Sequence, residues 1–145
     1  MSEFIGFKFS ISVNSVDMSS HVTSMKNTHS QEIKEWLASN PTGTSAQRHR
    51  LPGVQDMKLD VTYKDDLAAS GAGSVHNTHR ALMGNTGFTV TWCYNGAINA
   101  PSTTNPVYSM TAILSEVPLG GAVNEVMEAS YSYMLASGAV TVTTA

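Results

Sequence analysis

Period-two alternation of apolar and polar side chains runs through most of the chain, and that pattern predicts β-strands. In "FKFSISV", Phe7, Phe9, Ile11 and Val13 oppose Lys8, Ser10 and Ser12. In "MKLDVTY", Met57, Leu59, Val61 and Tyr63 oppose Lys58, Asp60 and Thr62. "FTVTWCY" sets Phe88, Val90, Trp92 and Tyr94 against Thr89, Thr91 and Cys93. "YSMTAILSEV" at 108–117 is apolar on both faces in places, as a central strand would be. "ASYSYML" sets Tyr131, Tyr133 and Leu135 against Ser130 and Ser132, and "AVTVTTA" follows it. Turn chemistry punctuates these runs at Pro52-Gly53, Gly120-Gly121 and Ser137-Gly138. Asn95-Gly96 reads as a hairpin-type turn, and 101–106 as a loop.

Helical spacing is scarce. "SVHNTHRALMG" places Val75, His79 and Leu82 at i, i+4 and i+7, with Ser74 able to cap and Gly84 able to terminate. "SQEIKEWLAS" places Ile33, Trp36 and Leu37 at i, i+3 and i+4, with Thr28 or Ser30 as cap, which suggests a turn or two of helix. That piece lies in 27–50, where nothing reads as a strand. The segment is therefore expected to be a long loop, and excursions beyond ~15 residues are usually functional or disordered. The 145 residues suit one domain with a real core, and neither a repeat nor a domain boundary is visible.

Composition narrows the function. Net charge is −3, from 8 Lys plus Arg against 11 Asp plus Glu, which argues against a reader of nucleic acid that must neutralise phosphates. Charged residues make up only 13%, while Ser and Thr number 33, so the surface is polar but weakly charged. Such a surface docks against copies of itself with little charge desolvation. The single cysteine, Cys93, excludes an intrachain disulfide framework and reads as a buried, inert thiol. No apolar run approaches ~18 residues, so no membrane span is expected. "FIGFKFSISV" lacks the basic start and small-residue cleavage pattern of a signal peptide. The chain is expected to stay in a cytoplasm or to leave it by another route.

Candidate chemistry is thin. His76 and His79 could share a metal at i, i+3, but no third ligand stands near and no H-E-x-x-H occurs. Gly71-Ala72-Gly73 precedes the helix without a G-x-x-x-x-G-K-[ST] pattern, and G-x-S-x-G is absent. Glu32, Glu35, Asp65 and Asp66 could be imagined as acid and base, but they sit in charged, exposed contexts that do not mark a catalytic pair. No catalytic residue, metal or cofactor is expected.

The order of motifs carries more. "VDMSSHVTSM" at 16–25 is followed by the long segment, then "LPGVQDMKLDVTYKDD" at 51–66, the helix, "FTVTW", and "NPVYSMTAILSEVPLGGAVNEVMEASYSYMLASGAVTVTT" at 105–144. This order resembles the major tail tube proteins of long-tailed phages. In that family an Asp-x-Ser-Ser segment opens the domain, a Pro-Gly turn precedes a strand ending in acidic residues, and N-P-x-y leads into a strand. The 27–50 segment departs from the family's usual acidic-Thr pattern. No immunoglobulin-like decoration domain is expected after Thr144.

The resemblance implies a mainly β fold, a sandwich or half-barrel with one flanking helix. It implies hexameric rings whose inner sheets join into one barrel and stack into a hollow tube. The genome, double-stranded DNA, would pass through that tube without specific binding. Implied partners are copies of the chain itself and the tape-measure, tail-tip and tail-terminator proteins, in a virion tail assembled in the bacterial cytoplasm. A tail terminator or a contractile-tail inner tube shares the fold and is the alternative. A capsid decoration protein or adhesin module is also all-β.

Within this frame, Asp60, Thr62, Ser130 and Ser132 are candidates for a polar lumen wall. The 27–50 excursion is expected to join one ring to the next. Ile33, Trp36 and Leu37 would form one apolar stripe, and Arg48 and Arg50 would meet carboxylates across the seam.

Overall fold

The computed structural model describes residues 8–38, 43, 46–64, 75–120, 123–124 and 127–145. The strands are β1 (Ser10–Val13), β2 (Val16–Asp17), β3 (Val22–Ala38), β4 (Gln47–Lys64), β5 (Phe88–Cys93), β6 (Val107–Leu114) and β7 (Glu128–Thr143). Among the described residues one α-helix, α1 (Val75–Leu82), lies between β4 and β5. The fold is mainly β: one open, antiparallel, seven-stranded sheet in the order β2-β1-β5-β6-β7-β4-β3.

The sheet curls on itself. The Tyr94 hydroxyl, at the end of β5, donates to Asn27 Oδ1 on β3, although β6, β7 and β4 stand between those strands in the hydrogen-bonded order. The half bearing Ile11, Trp92 and Met110 therefore shares one core with the half bearing Leu59, Tyr63, Tyr131 and Tyr133. Curling a sheet needs bulges, and β7 supplies one. Ser109 pairs with Thr141 but Thr111 pairs with Ser137, so β7 spends four residues where β6 spends two. Gly138 sits there with φ 73°, a left-handed conformation that glycine adopts without a Cβ clash. Ser137-Gly138, expected as a turn, is thus a bulge inside one continuous strand.

Helix α1 matches its sequence pattern. Val75, His79 and Leu82 are buried, and Gly84, with φ 84°, takes the left-handed position just past its end. Ser74, the expected cap, lies outside the described residues, as do Gly71-Ala72-Gly73, Asp65, Asp66, Phe7 and Gly121.

His79 fastens the helix to the sheet. A carbonyl can only accept, so the 2.7 Å contact to Val75 O fixes the proton on Nδ1. Nε2 is then an acceptor and takes the Tyr133 O–H; Tyr63 in turn donates to the Tyr133 oxygen at 2.8 Å. The imidazole stacks on Tyr131 with centroids 3.8 Å apart. Burial holds His79 down at about 4; the neighbouring His76 adds to the shift and the Val75 contact opposes it.

The chain corrects its own sequence reading most at 27–50. This segment is two arms of a β-hairpin rather than a loop with a helical turn: β3 has 17 residues, β4 has 18, and their pairing runs from Val22↔Tyr63 to Ala38↔Gln47. An isolated helical turn is marginal in water, whereas pairing with β4 gives the backbone of 33–38 hydrogen-bond partners. Pro52-Gly53 is not the entry turn either. Gln31 pairs with Gln55 and Ile33 with Pro52, so β4 advances three residues while β3 advances two, which makes a bulge around Gly53. The β3 backbone comes close there: a Cβ on Gly53 would lie 3.1 Å from the Glu32 carbonyl oxygen. Asn95-Gly96 opens a longer β5–β6 connection, not a two-residue hairpin. Asn105 Nδ2 ties that connection by donating to Ala97 O and Ala100 O, each at 3.1 Å. The strand expected at 108–117 ends at Leu114.

Candidate assembly surfaces

Three surfaces stand out among the described residues, and all come from the β3–β4–β7 half of the sheet. The first is the far end of the β3–β4 hairpin. β4 pairs with β7 only over 58–64, against 128–134. Beyond that, β3 and β4 continue as a two-stranded arm.

Cross-strand partners share a face, so the register sorts the arm's side chains. Ile33, Glu35 and Leu37 share a face with Pro52, Arg50 and Arg48; Lys34 and Trp36 share the other with Leu51 and His49. Large apolar side chains stand exposed on it: Ile33 53%, Trp36 45%, Leu37 67%, Leu51 54% and Val54 72%. Trp36 stacks on His49 at 5.2 Å and 17°.

All five residues expected to join rings lie on this arm, but the expected single stripe does not form. Ile33 and Leu37 face one way and Trp36 the other, because strand alternation replaces helical spacing. Arg48 and Arg50 both have a carboxylate within the same chain. Arg50 Nε lies 2.6 Å from Glu35 Oε1, and Arg48 Nε lies 3.9 Å from Glu35 Oε2, within the same chain. Such exposed pairs contribute about 0–1 kcal/mol each. Leu51, Val54 and His49 also belong to this surface; sequence reading passed over them because it took Leu-Pro-Gly for a turn.

The second surface is the polar face of β4 and β7. Here the structure brings together all four candidate wall residues. Ser132 Oγ donates to Asp60 Oδ1 at 2.6 Å, and the Thr62 and Ser130 hydroxyls lie 2.9 Å apart. On the opposite face of the same strands, Leu59, Val61, Tyr63, Tyr131 and Tyr133 are buried. Two of the cations on the polar face, Lys58 and Lys64, have partners. Lys58 Nζ lies 3.7 Å from Asp60, Lys64 pairs with Glu128, and Lys26 stands opposite Asp60 in register. With Asp56 opposite Ser30 on that face, three ammonium groups meet three carboxylates, and the patch is close to neutral.

The third surface is backbone. β3 is the last strand of the sheet. β2 ends the other side and has only two residues.

No group of three or more metal-ligating side chains occurs among the described residues. Cys93 is fully buried, its Sγ 3.1 Å from Gly96 O, and burial pushes the thiol pKa up. No described helix is long and apolar enough to cross a membrane.

No family model matches the chain, and no curated protein matches its sequence. Among solved structures, the fold is that of tail-tube-type proteins of contractile injection particles. One similar chain comes from the sheath/tube terminator of an extracellular contractile injection system, PVC, in the extended state: 8% identity, TM-score 0.64, covering 99% of this chain and 98% of that one. A second is the anti-feeding prophage cap, the AFP tube terminating cap: 10% identity, TM-score 0.65, with 100% and 93% covered. A third comes from the PVC sheath–tube complex, again in the extended state, at 9% identity and TM-score 0.64, with 99% and 93% covered. At such identities the likeness shows the fold alone.

Proposed function

We propose that the chain is a structural subunit of a contractile, phage-tail-like particle and serves as the terminator that closes the tube. The observation that carries this reading is the whole-length fold match to a sheath/tube terminator and a tube terminating cap. The chain would form hexameric rings in which the curled sheet continues from copy to copy. It would be non-enzymatic, would assemble in the bacterial cytoplasm and would reside in the tail of the particle. Its partners would be copies of itself and the adjoining tube and sheath, with the tape-measure and tail-tip proteins in the same particle.

The near-neutral face of Asp60, Thr62, Ser130 and Ser132 suits the wall of a bore. DNA passing such a wall meets no unpaired lysine row that would hold its phosphates. The arm suits a joint between layers: apolar side chains exposed on both faces of a two-stranded ribbon gain from being covered.

A second reading, inner tube subunit, is favoured by the fold match to the sheath–tube complex. Electron microscopy of the purified chain mixed with preassembled tubes separates the two. A terminator gives discrete rings and caps that stop elongation. A tube subunit lengthens the tubes. Neither rings nor tube binding at any concentration would refute both.

A further inference from the structure

Among the described residues the hairpin arm has two open backbone edges, and a proline distinguishes them. Pro52 carries no N–H, so its nitrogen belongs on the side of β4 that makes no ladder bond. Its pair with Ile33 is therefore a non-hydrogen-bonded pair of the β3–β4 ladder. Alternation then makes Lys34↔Leu51 a bonded pair, Glu35↔Arg50 non-bonded, Trp36↔His49 bonded and Leu37↔Arg48 non-bonded. Ile33, Glu35 and Leu37 consequently turn their N–H and C=O groups outward along β3. Pro52 turns its ring outward along β4, where it interrupts any strand that would add there.

The β3 edge carries no such guard. Its 17 residues contain no proline. β3 does carry the charges of Lys34 and Glu35, but these leave its N–H and C=O groups able to pair, whereas a proline removes a donor outright.

A second open stretch of comparable length exists. β7 pairs with β4 only through Met134, so 135–143 has a ladder with β6 on one side alone. Where β7 departs from β4, a cleft of about 140 Å³ opens, lined by His29, Asp56, Leu135, Gly138 and Val140 among others. β2 is too short to compete.

We propose that the outer edge of β3, around Ile33–Leu37, pairs with the 135–143 stretch of β7 in a second copy of the chain. The two edges are different surfaces, so the contact is heterologous and repeats head to tail until a ring closes. Main-chain bonds give the affinity in such strand addition, and side chains give the register. The inference rests on the ring reading above and names the edges that make the ring.

The test compares Glu35→Pro with Glu35→Ala. Both remove the ion pairs to Arg48 and Arg50. Only proline removes an outward N–H, and it leaves the inner β3–β4 ladder intact. The expected result is a folded E35P monomer by circular dichroism and sedimentation, while E35A assembles like the wild type. Assembly of E35P equal to that of E35A overturns the proposal. A cysteine pair decides the case even if E35P fails to fold. Glu35→Cys protein mixed with Ala139→Cys protein should cross-link through a short bismaleimide, and neither should cross-link alone. Self-linking of E35C would mean a two-fold β3–β3 contact and overturns the proposal. Rings without the mixed cross-link overturn the edge assignment and leave the ring reading standing. Absence of assembly in wild type and E35A refutes the ring reading, and the edge assignment with it.

Discussion

Acid should loosen this fold through His79. Its pKa falls from the ordinary 6.5 to about 4, because burial between α1 and the sheet disfavours the charged ring; the neighbouring His76 adds to the fall and the Val75 contact opposes it. The unfolded chain binds this proton below pH 6.5 and the folded chain does not until about pH 4. The unfolded state thus binds more protons in that window, and stability rises with pH across it. The contribution is complete above pH 6.5 and is lost as pH falls toward 4. At pH 4.5 the loss comes to about 2.5 kcal/mol for this group, given ~1.36 kcal/mol per pH unit. That is a large share of a small domain's ~5–15 kcal/mol. The assay is urea unfolding at pH 7.5 and pH 4.5 for the wild type and for His79→Phe/Tyr133→Phe, which removes the imidazole and the hydroxyl that donates to it; the Tyr63 hydroxyl loses its acceptor at both pH values alike, so that cost cancels from the pH dependence. Carboxylates titrate in both proteins, so the difference between the two pH dependences isolates the imidazole. The wild type should lose about 2.5 kcal/mol more than the double variant on acidification. Parallel losses would refute the locked, neutral His79.

Other consequences follow from the arm and the polar face. Trp36→Ala should leave monomer stability within about 1 kcal/mol, because the ring is half exposed, while it weakens ring-to-tube joining in a cosedimentation assay. Amide exchange in 33–38 and 47–52 should run faster than in 58–64 and 128–134, since the arm lacks the core that backs the body of the sheet. Pro52→Ala should raise light scattering at constant folded fraction, because it opens the guarded β4 edge. Asp60→Ala should cost less than about 1 kcal/mol in denaturant unfolding, because the Lys58 pair and the Ser132 bond it breaks are solvent-facing.

The sequence made the covered half of the molecule readable. β1, β5, the second half of β4 and the first half of β7 each bury one face, so their alternation is clean and Trp92, Tyr63, Tyr131 and Tyr133 could be placed in the core directly. The polar face was readable for the same reason, since Asp60, Thr62, Ser130 and Ser132 are the complement of that buried set. The arm was not. It covers no core on either side, so apolar residues fall on both faces and alternation disappears. Ile33, Trp36 and Leu37 then mimic helical spacing by chance. Pro52-Gly53 and Ser137-Gly138 have turn chemistry, but the fold spends it on bulges within strands. The curl that brings Tyr94 to Asn27 links distant segments, and no local pattern encodes it.

Native mass spectrometry of the purified chain tests the central claim most directly. The account predicts a closed oligomer, a hexamer of the 15.5 kDa chain, with no ladder of open intermediates at saturation. A monomer at every concentration, or a dimer that grows no further, would contradict it.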